Sequence, residues 1–170
     1  DGPEDAAWLN TVFPDGSLGA PDFFTCGHLT RHLVYRPEWQ QHENTARRLE
    51  ALIVVHPDPA SLRDGYERVL GSISLGELHQ EGWTLRRGSL RIQFITPDAF
   101  KARFPGVRIP TGLPAPWFAG SIIGVRDQQR TRAVLARNGV PAQDNARGEL
   151  FVNPDHAAGT LQVFVQEPQS

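Results

Sequence analysis

Residues 26–46 read CGHLTRHLVYRPEWQQHENTA and hold the single cysteine, Cys26, with three of the six histidines, His28, His32 and His42. Cysteine and histidine at short spacing are zinc and iron donors, so a metal centre is the first chemistry to test. His28 and His32 stand four residues apart. On a helix they would share a face, but the glutamate of an HExxH zinc site is missing, and FFTCGHLT patterns as a strand. Along a strand four residues span roughly 13 Å, too far for ligands that sit about 2 Å from one ion. Cys26 and His28 share a strand face at roughly 6.5 Å, with no second pair of metal spacing to complete a set. The stretch reads as a strand end followed by a linker. Other catalytic patterns are absent too. No Ser-His-Asp order or glycine-rich phosphate loop stands out. Asp144 and Glu149 lie in a loop, too far apart to define an acid/base pair, and His79 and His156 are each alone.

The elements that would carry a site are clearer. The chain has 170 residues, a formal charge of −2 and one lysine against 16 arginines. That balance excludes the basic excess of a nucleic-acid binder. The local run Arg130, Arg132, Arg137 reads as a solvated helix face. One cysteine cannot form an intrachain disulfide, so a cytoplasmic setting is expected. No apolar run approaches 18 residues, so no membrane association is expected. The opening DGPEDAAWLN, in a chain without methionine, is explained equally by processing, by a boundary set in expression or by a fragment of a longer protein.

An internal repeat sets the architecture. Residues 52–71 and 122–139 each run from a β-branched strand through an Asp-containing turn into a helix ending at glycine. Residues 88–95 and 159–166 each begin Gly-hydroxyl-Leu and continue as a strand. The offset between the copies is close to 70 residues in each comparison. In the first copy Leu62, Tyr66 and Val69 fall on one helix face, Ser61 is placed to cap it and Gly71 to end it. GWTLRRGSLRIQFIT predicts a hairpin with its tip at Arg87–Gly88. The connecting segment predicts a short helix at Pro97–Phe104 and then an ordered surface linker.

Two tandem βαβββ modules resemble the vicinal oxygen chelate superfamily, which includes glyoxalase I, extradiol dioxygenases and bleomycin-resistance proteins. The linker adds to this. His28, Thr30, Leu33, Val34, Arg36, Pro37, Glu38, Trp39, His42, Asn44 and Ala46 match a signature of bacterial glyoxalase-like domain proteins, while Gly27, Arg31, His32, Tyr35, Glu43 and Thr45 depart from it. At Thr45 the signature carries glycine. The resemblance implies an α+β fold, a cupped mixed sheet with helices on its convex face and a ligand cavity in its concave face. It divides the chain into residues 1–35, the terminal hairpin of a preceding glyoxalase-like domain, a linker at 36–48, and a glyoxalase-like domain at 49–167 with modules at about 49–96 and 117–167. Trp39 is expected to pack on that domain and fix the linker.

Metal-binding relatives carry their ligands on the first and last strands of each module. Here those strands are 51–55, 89–95, 119–125 and 160–166, and none contains His, Asp, Glu or Cys. Glu50, His56 and Glu167 fall just outside them. No metal and no other cofactor is expected in this domain. If helices cover the more apolar set of each strand, Arg91, Gln93, Gln162 and Phe164 face the cup, and Trp83 is placed to roof it. Arg91 would pair with a ligand carboxylate or phosphate. The expected partner is a small organic molecule. A homodimer or pairing with a preceding glyoxalase-like domain is the expected association. Three functions stay open: a metal-independent lyase or isomerase, a non-catalytic binder like the bleomycin-resistance proteins, and a structural half of a larger protein.

Overall fold

A computed structural model describes residues 4–14, 24–71, 76–110, 112 and 115–168. β1 (Trp8–Val12) and β2 (Phe24–His28) pair antiparallel as a separate hairpin, Trp8 opposite His28 and Val12 opposite Phe24. The strand ends at His28, and a helical turn α1 (Arg31–Val34) follows. Cys26 Sγ lies 4.0 Å from His28 Nε2, while His32 Nε2 meets Glu4 Oε2 at 2.9 Å.

Seven strands form the main sheet: β3 (Ala46–Val55), β4 (Gly82–Arg87), β5 (Leu90–Ile95), β6 (Trp117–Val125), β7 (Gln143–Asp144), β8 (Leu150–Val152) and β9 (Leu161–Gln166). Their spatial order is β4-β5-β3-β6-β9-β8-β7. β5 lies parallel beside β3, β9 lies parallel beside β6, and β3 and β6 run antiparallel at the centre. Each half thus returns its last strand beside its first. Helix α2 (Arg63–Leu70) follows β3 and α4 (Gln128–Arg137) follows β6. The second half shows the full order β6-α4-β7-β8-β9. In the first half Gly76 N donates to Thr84 O at 2.7 Å and so continues the sheet beyond β4, while residues 72–75 lie outside the description.

Local chemistry explains the helix ends. Thr96 Oγ1 accepts from Ala99 N at the start of α3 (Pro97–Arg103), and the Asp127 carboxylate accepts from Arg130 N at the start of α4. Gly71 and Gly139 follow α2 and α4 with φ of 80° and 68°. Ser61 does not cap α2. A 3-10 turn at Pro59–Leu62 precedes the helix, and the Ser61 hydroxyl donates to Asp58 O. Val69 is exposed, whereas Leu62 and Tyr66 are buried.

Two clusters lie under α2 and α4. Leu62 and Tyr66 cover Val54, Ile92, Phe94, Leu85 and Trp83, and Leu135 covers Val125, Leu150, Val152 and Phe164. A third cluster occupies the opposite face, where Phe100 and Phe104 of α3, with Val107, lie over Ala51, Ile53, Ala119, Phe151, Leu161 and Val163. The segment after α3 is therefore core in part, not only the expected surface linker: Val107 is buried and Ile109 packs on the same cluster. At Gly120 an added Cβ would lie 2.2 Å from Leu161 O, so only glycine allows β6 and β9 this approach. No helix of the described residues is long and apolar enough to cross a membrane.

Candidate functional site

Strand register decides which side chains share a face. Arg91 stands opposite Ala51, Ala51 opposite Ile122 and Ile122 opposite Val163, so these four form one row on the face that carries α3. Leu52, Ser121 and Gln162 form a row on the other face, toward α2 and α4. Two bulges interrupt β3. Between Ala46 and Arg48 and again between Leu49 and Ala51, the strand spends two steps against one on β6. A bulge re-aims side chains. Here the second one turns Glu50 into the cup beside Ala51.

A cavity of about 270 Å³ results, lined by Arg48, Glu50, Arg91, Gln93, Arg103 and Glu149 over the apolar patch of Ala51, Ile122 and Val165. Glu50 Oε1 accepts from Arg48 Nε at 2.8 Å and Nη2 at 2.5 Å, and its Oε2 lies 3.5 Å from Arg91 Nη1. Glu167, just past β9, meets Arg48 Nε at 3.3 Å. Gly124 lies beneath both carboxylates: a Cβ there would come within 3.1 Å of each. Across the cup Arg103 grips Glu149 in a bidentate pair of 2.9 and 2.6 Å and donates to Gln93 Oε1 at 2.7 Å. Burial pushes the Glu149 pKa up, but hydrogen bonds from Arg103 and Asn145 and the Arg103 charge outweigh it and hold the carboxyl below the usual range. The Glu50 bonds raise the pKa of Arg48.

The residues expected in the site separate. Arg91 and Gln93 face the cavity. Gln162 and Phe164 do not. Gln162 bonds to Ser121 at 2.8 Å on the helix face, and Phe164 is buried beneath α4. Their assignment rested on apolar sets lying under helices. On β9 the apolar set Leu161, Val163 and Val165 instead faces the third cluster, because α3 supplies an apolar cover there. Trp83 is fully buried under α2, stacked on Phe94 at 4.2 Å with Nε1 donating to Pro59 O, and roofs nothing. Sequence reasoning missed Glu50, Arg103 and Glu149. Glu50 was placed outside its strand because β3 begins at Ala46 rather than at 51. For Arg103 a signal existed: it lies at i+3 from Phe100, beside Phe104, on the apolar stripe of α3.

No protein-family model matches the sequence, and no curated protein matches it. Solved structures match by shape. Methylmalonyl-CoA epimerase from Mycobacterium tuberculosis superposes with a TM-score of 0.52 at 16% identity, over 76% of this chain and 93% of that one. A second methylmalonyl-CoA epimerase gives 0.51 at 16% identity over 75% and 100%. A methylmalonyl-CoA epimerase in complex with methylmalonyl-CoA and NH4+ gives 0.50 at 14% identity over 72% and 95%. This chain has the vicinal oxygen chelate fold. At such identities the likeness is one of fold, and residue roles do not transfer with it.

Vicinal oxygen chelate proteins commonly hold a divalent ion in the cup, so the donors present were tested against one. The two carboxylates that approach each other, Glu50 and Glu167, share the Arg48 guanidinium between them. A cation would have to displace an arginine already held by both. Among the described residues no group of three His, Cys, Asp or Glu side chains stands together. These donors do not fit a divalent ion.

Proposed function

We propose that the cup binds a small organic molecule carrying a carboxylate or phosphate, with Arg91 as its counter-charge. One observation supports the reading above the rest. Arg91 is 44% exposed and has only a 3.5 Å contact to Glu50, a carboxylate that Arg48 already holds closely. An anion can take Arg91 and leave Glu50 paired. Gln93, whose Oε1 accepts from Arg103, has its amide nitrogen to donate to the same ligand. Arg103 holds the Glu149 carboxyl below its usual range, which makes it a poor general base, and the Glu50 carboxylate is engaged by Arg48. That favours a binding or sequestering role over a lyase or isomerase. A cytoplasmic setting is proposed with it, resting on the single, exposed, unpaired Cys26. Titration calorimetry with a panel of short carboxylates and phosphates tests the reading. A ligand that binds the protein and is lost on Arg91→Ala supports it, and a panel in which no ligand depends on Arg91 overturns it.

A second reading rests on the hairpin. Trp8, Leu9, Val12 and Phe24 are each more than half exposed on a two-stranded sheet of its own, and such hairpins are marginal alone. We propose that residues 1–35 complete a preceding glyoxalase-like domain. Amide exchange in the hairpin should be fast in this chain and slow once a preceding domain is attached. Equal exchange in both would refute this.

A further inference from the structure

A second pocket, cationic where the cup is charge-balanced, lies where the linker enters β3. Its volume is about 420 Å³, and Arg47, Arg126, Arg130 and His42 line it with no acidic side chain. Every arginine of the cup meets a glutamate. Among the described residues, none of these three does. The neighbouring acids are committed elsewhere: Glu43 pairs with Arg137 at 2.7 Å, and the Asp127 carboxylate accepts from Arg130 N.

The backbone holds the arginines together. Arg47 is the extra residue of the first bulge in β3, which frees it from the alternation that sends Arg48 into the cup. Arg126 directly follows β6, and Arg130 lies in the first turn of α4, its Nε donating to Glu43 O at 3.2 Å. Thr45 locks the corner. Its φ is 60°, rare for a β-branched residue. Its hydroxyl donates to Asp127 O and accepts from Asp127 N, and its carbonyl accepts from Arg126 N. Three guanidiniums lining one pocket repel one another. Next to them, sharing His42, Ala46 and Arg47, an apolar hollow of about 390 Å³ opens over Leu49 and Ile123.

We propose that this is a second ligand site, for a phosphate monoester with an apolar substituent. Three guanidinium forks match the three peripheral oxygens of a phosphate better than the two of a carboxylate. The substituent lies against Leu49 and Ile123. Arg48, a cup residue, also borders the hollow beside Leu49 and Ile123, but the three arginines of the site do not line the cup, and the proposal does not depend on the function proposed there.

Titration calorimetry with phenyl phosphate on the whole chain, with inorganic phosphate and benzoate as comparators, provides the test. One saturable site that persists in Arg91→Ala is expected, and in that variant it is tighter for phenyl phosphate than for either comparator. The double variant Arg47→Ala/Arg126→Ala should weaken it at least tenfold with an unchanged melting temperature, since both side chains are exposed and unpaired. Arg91→Ala should leave it unchanged. The proposal is overturned by absent saturation, by undiminished binding in the double variant, by loss in Arg91→Ala, or by either comparator binding as tightly as phenyl phosphate.

Discussion

The two halves of the cup are built by the same strand exchange and end with opposite surfaces. β5 presents Arg91 and Gln93 to the cup, and its counterpart β9 presents Leu161, Val163 and Val165. The difference comes from what lies above. Phe100, Phe104 and Val107 cover β9 together with Ala51 and Ile53 of the central strand β3, so an apolar floor is favoured there. The start of β5, with Arg91 and Gln93, borders the open cavity, and that flank is polar. Arg103, at the end of α3, spans the two by holding Gln93 on one side and Glu149 on the other. A pseudo-symmetric sheet thus gains one filled flank and one open flank through a single connecting segment.

The strongest way to break this contrast is to empty the filled flank. Phe104→Ala removes a fully buried ring that packs edge-on to Phe151 at 5.5 Å. Its loss should cost about 3–5 kcal/mol, read from urea unfolding. Glu149→Gln comes next. It leaves Arg103, with a side chain only 7% exposed, without its counter-charge. A loss of about 3 kcal/mol at neutral pH is expected, the low end for breaking a buried pair. The pair also has a pH signature. The folded pKa of Glu149 is depressed, so its stabilisation is complete above the unfolded value near 4.5 and is lost as pH falls through the folded value. Stability measured from pH 7 downward should fall less steeply in Glu149→Gln than in the parent, and parallel curves would show that another group carries the acid sensitivity.

Arg91→Ala sharpens the contrast from the open side. The side chain is 44% exposed, so unfolding stability should change by less than about 0.5 kcal/mol, while affinity for a cup anion should fall at least tenfold, about 1.4 kcal/mol. The smallest effect is expected at Trp39. This residue is 57% exposed and meets the Arg36 guanidinium at 4.9 Å rather than packing on the sheet, contrary to the expected linker anchor. Trp39→Ala should shift stability by no more than about 0.5 kcal/mol, and a larger loss by thermal melting would mean that the ring has a partner in solution.

Legibility followed the range of the interaction concerned. The short helix α3 and the glycine ends of α2 and α4 rest on local preferences, and the structure has them. The β4–β5 hairpin is also present, its turn at Gly88–Ser89 one residue beyond the expected tip. The site depends on long-range events. Glu50 enters the cup through a bulge, which simple alternation along the strand misses. Gln162 and Phe164 turn away from the cup because a segment some 60 residues earlier covers the opposite face. The partnership of Arg103 with Glu149 crosses 46 positions without a local trace beyond an arginine on an apolar stripe. Thr45 is an intermediate case. It stands where the resembling signature has glycine and takes the backbone conformation that glycine would favour.

The unequal halves of the cup also bear on handedness. A molecule lying across the central β3–β6 pair meets cationic and amide groups on one flank and branched hydrocarbon on the other, above a floor that cannot be superposed on its mirror image. Three unlike contacts around one point distinguish the two mirror forms of a ligand.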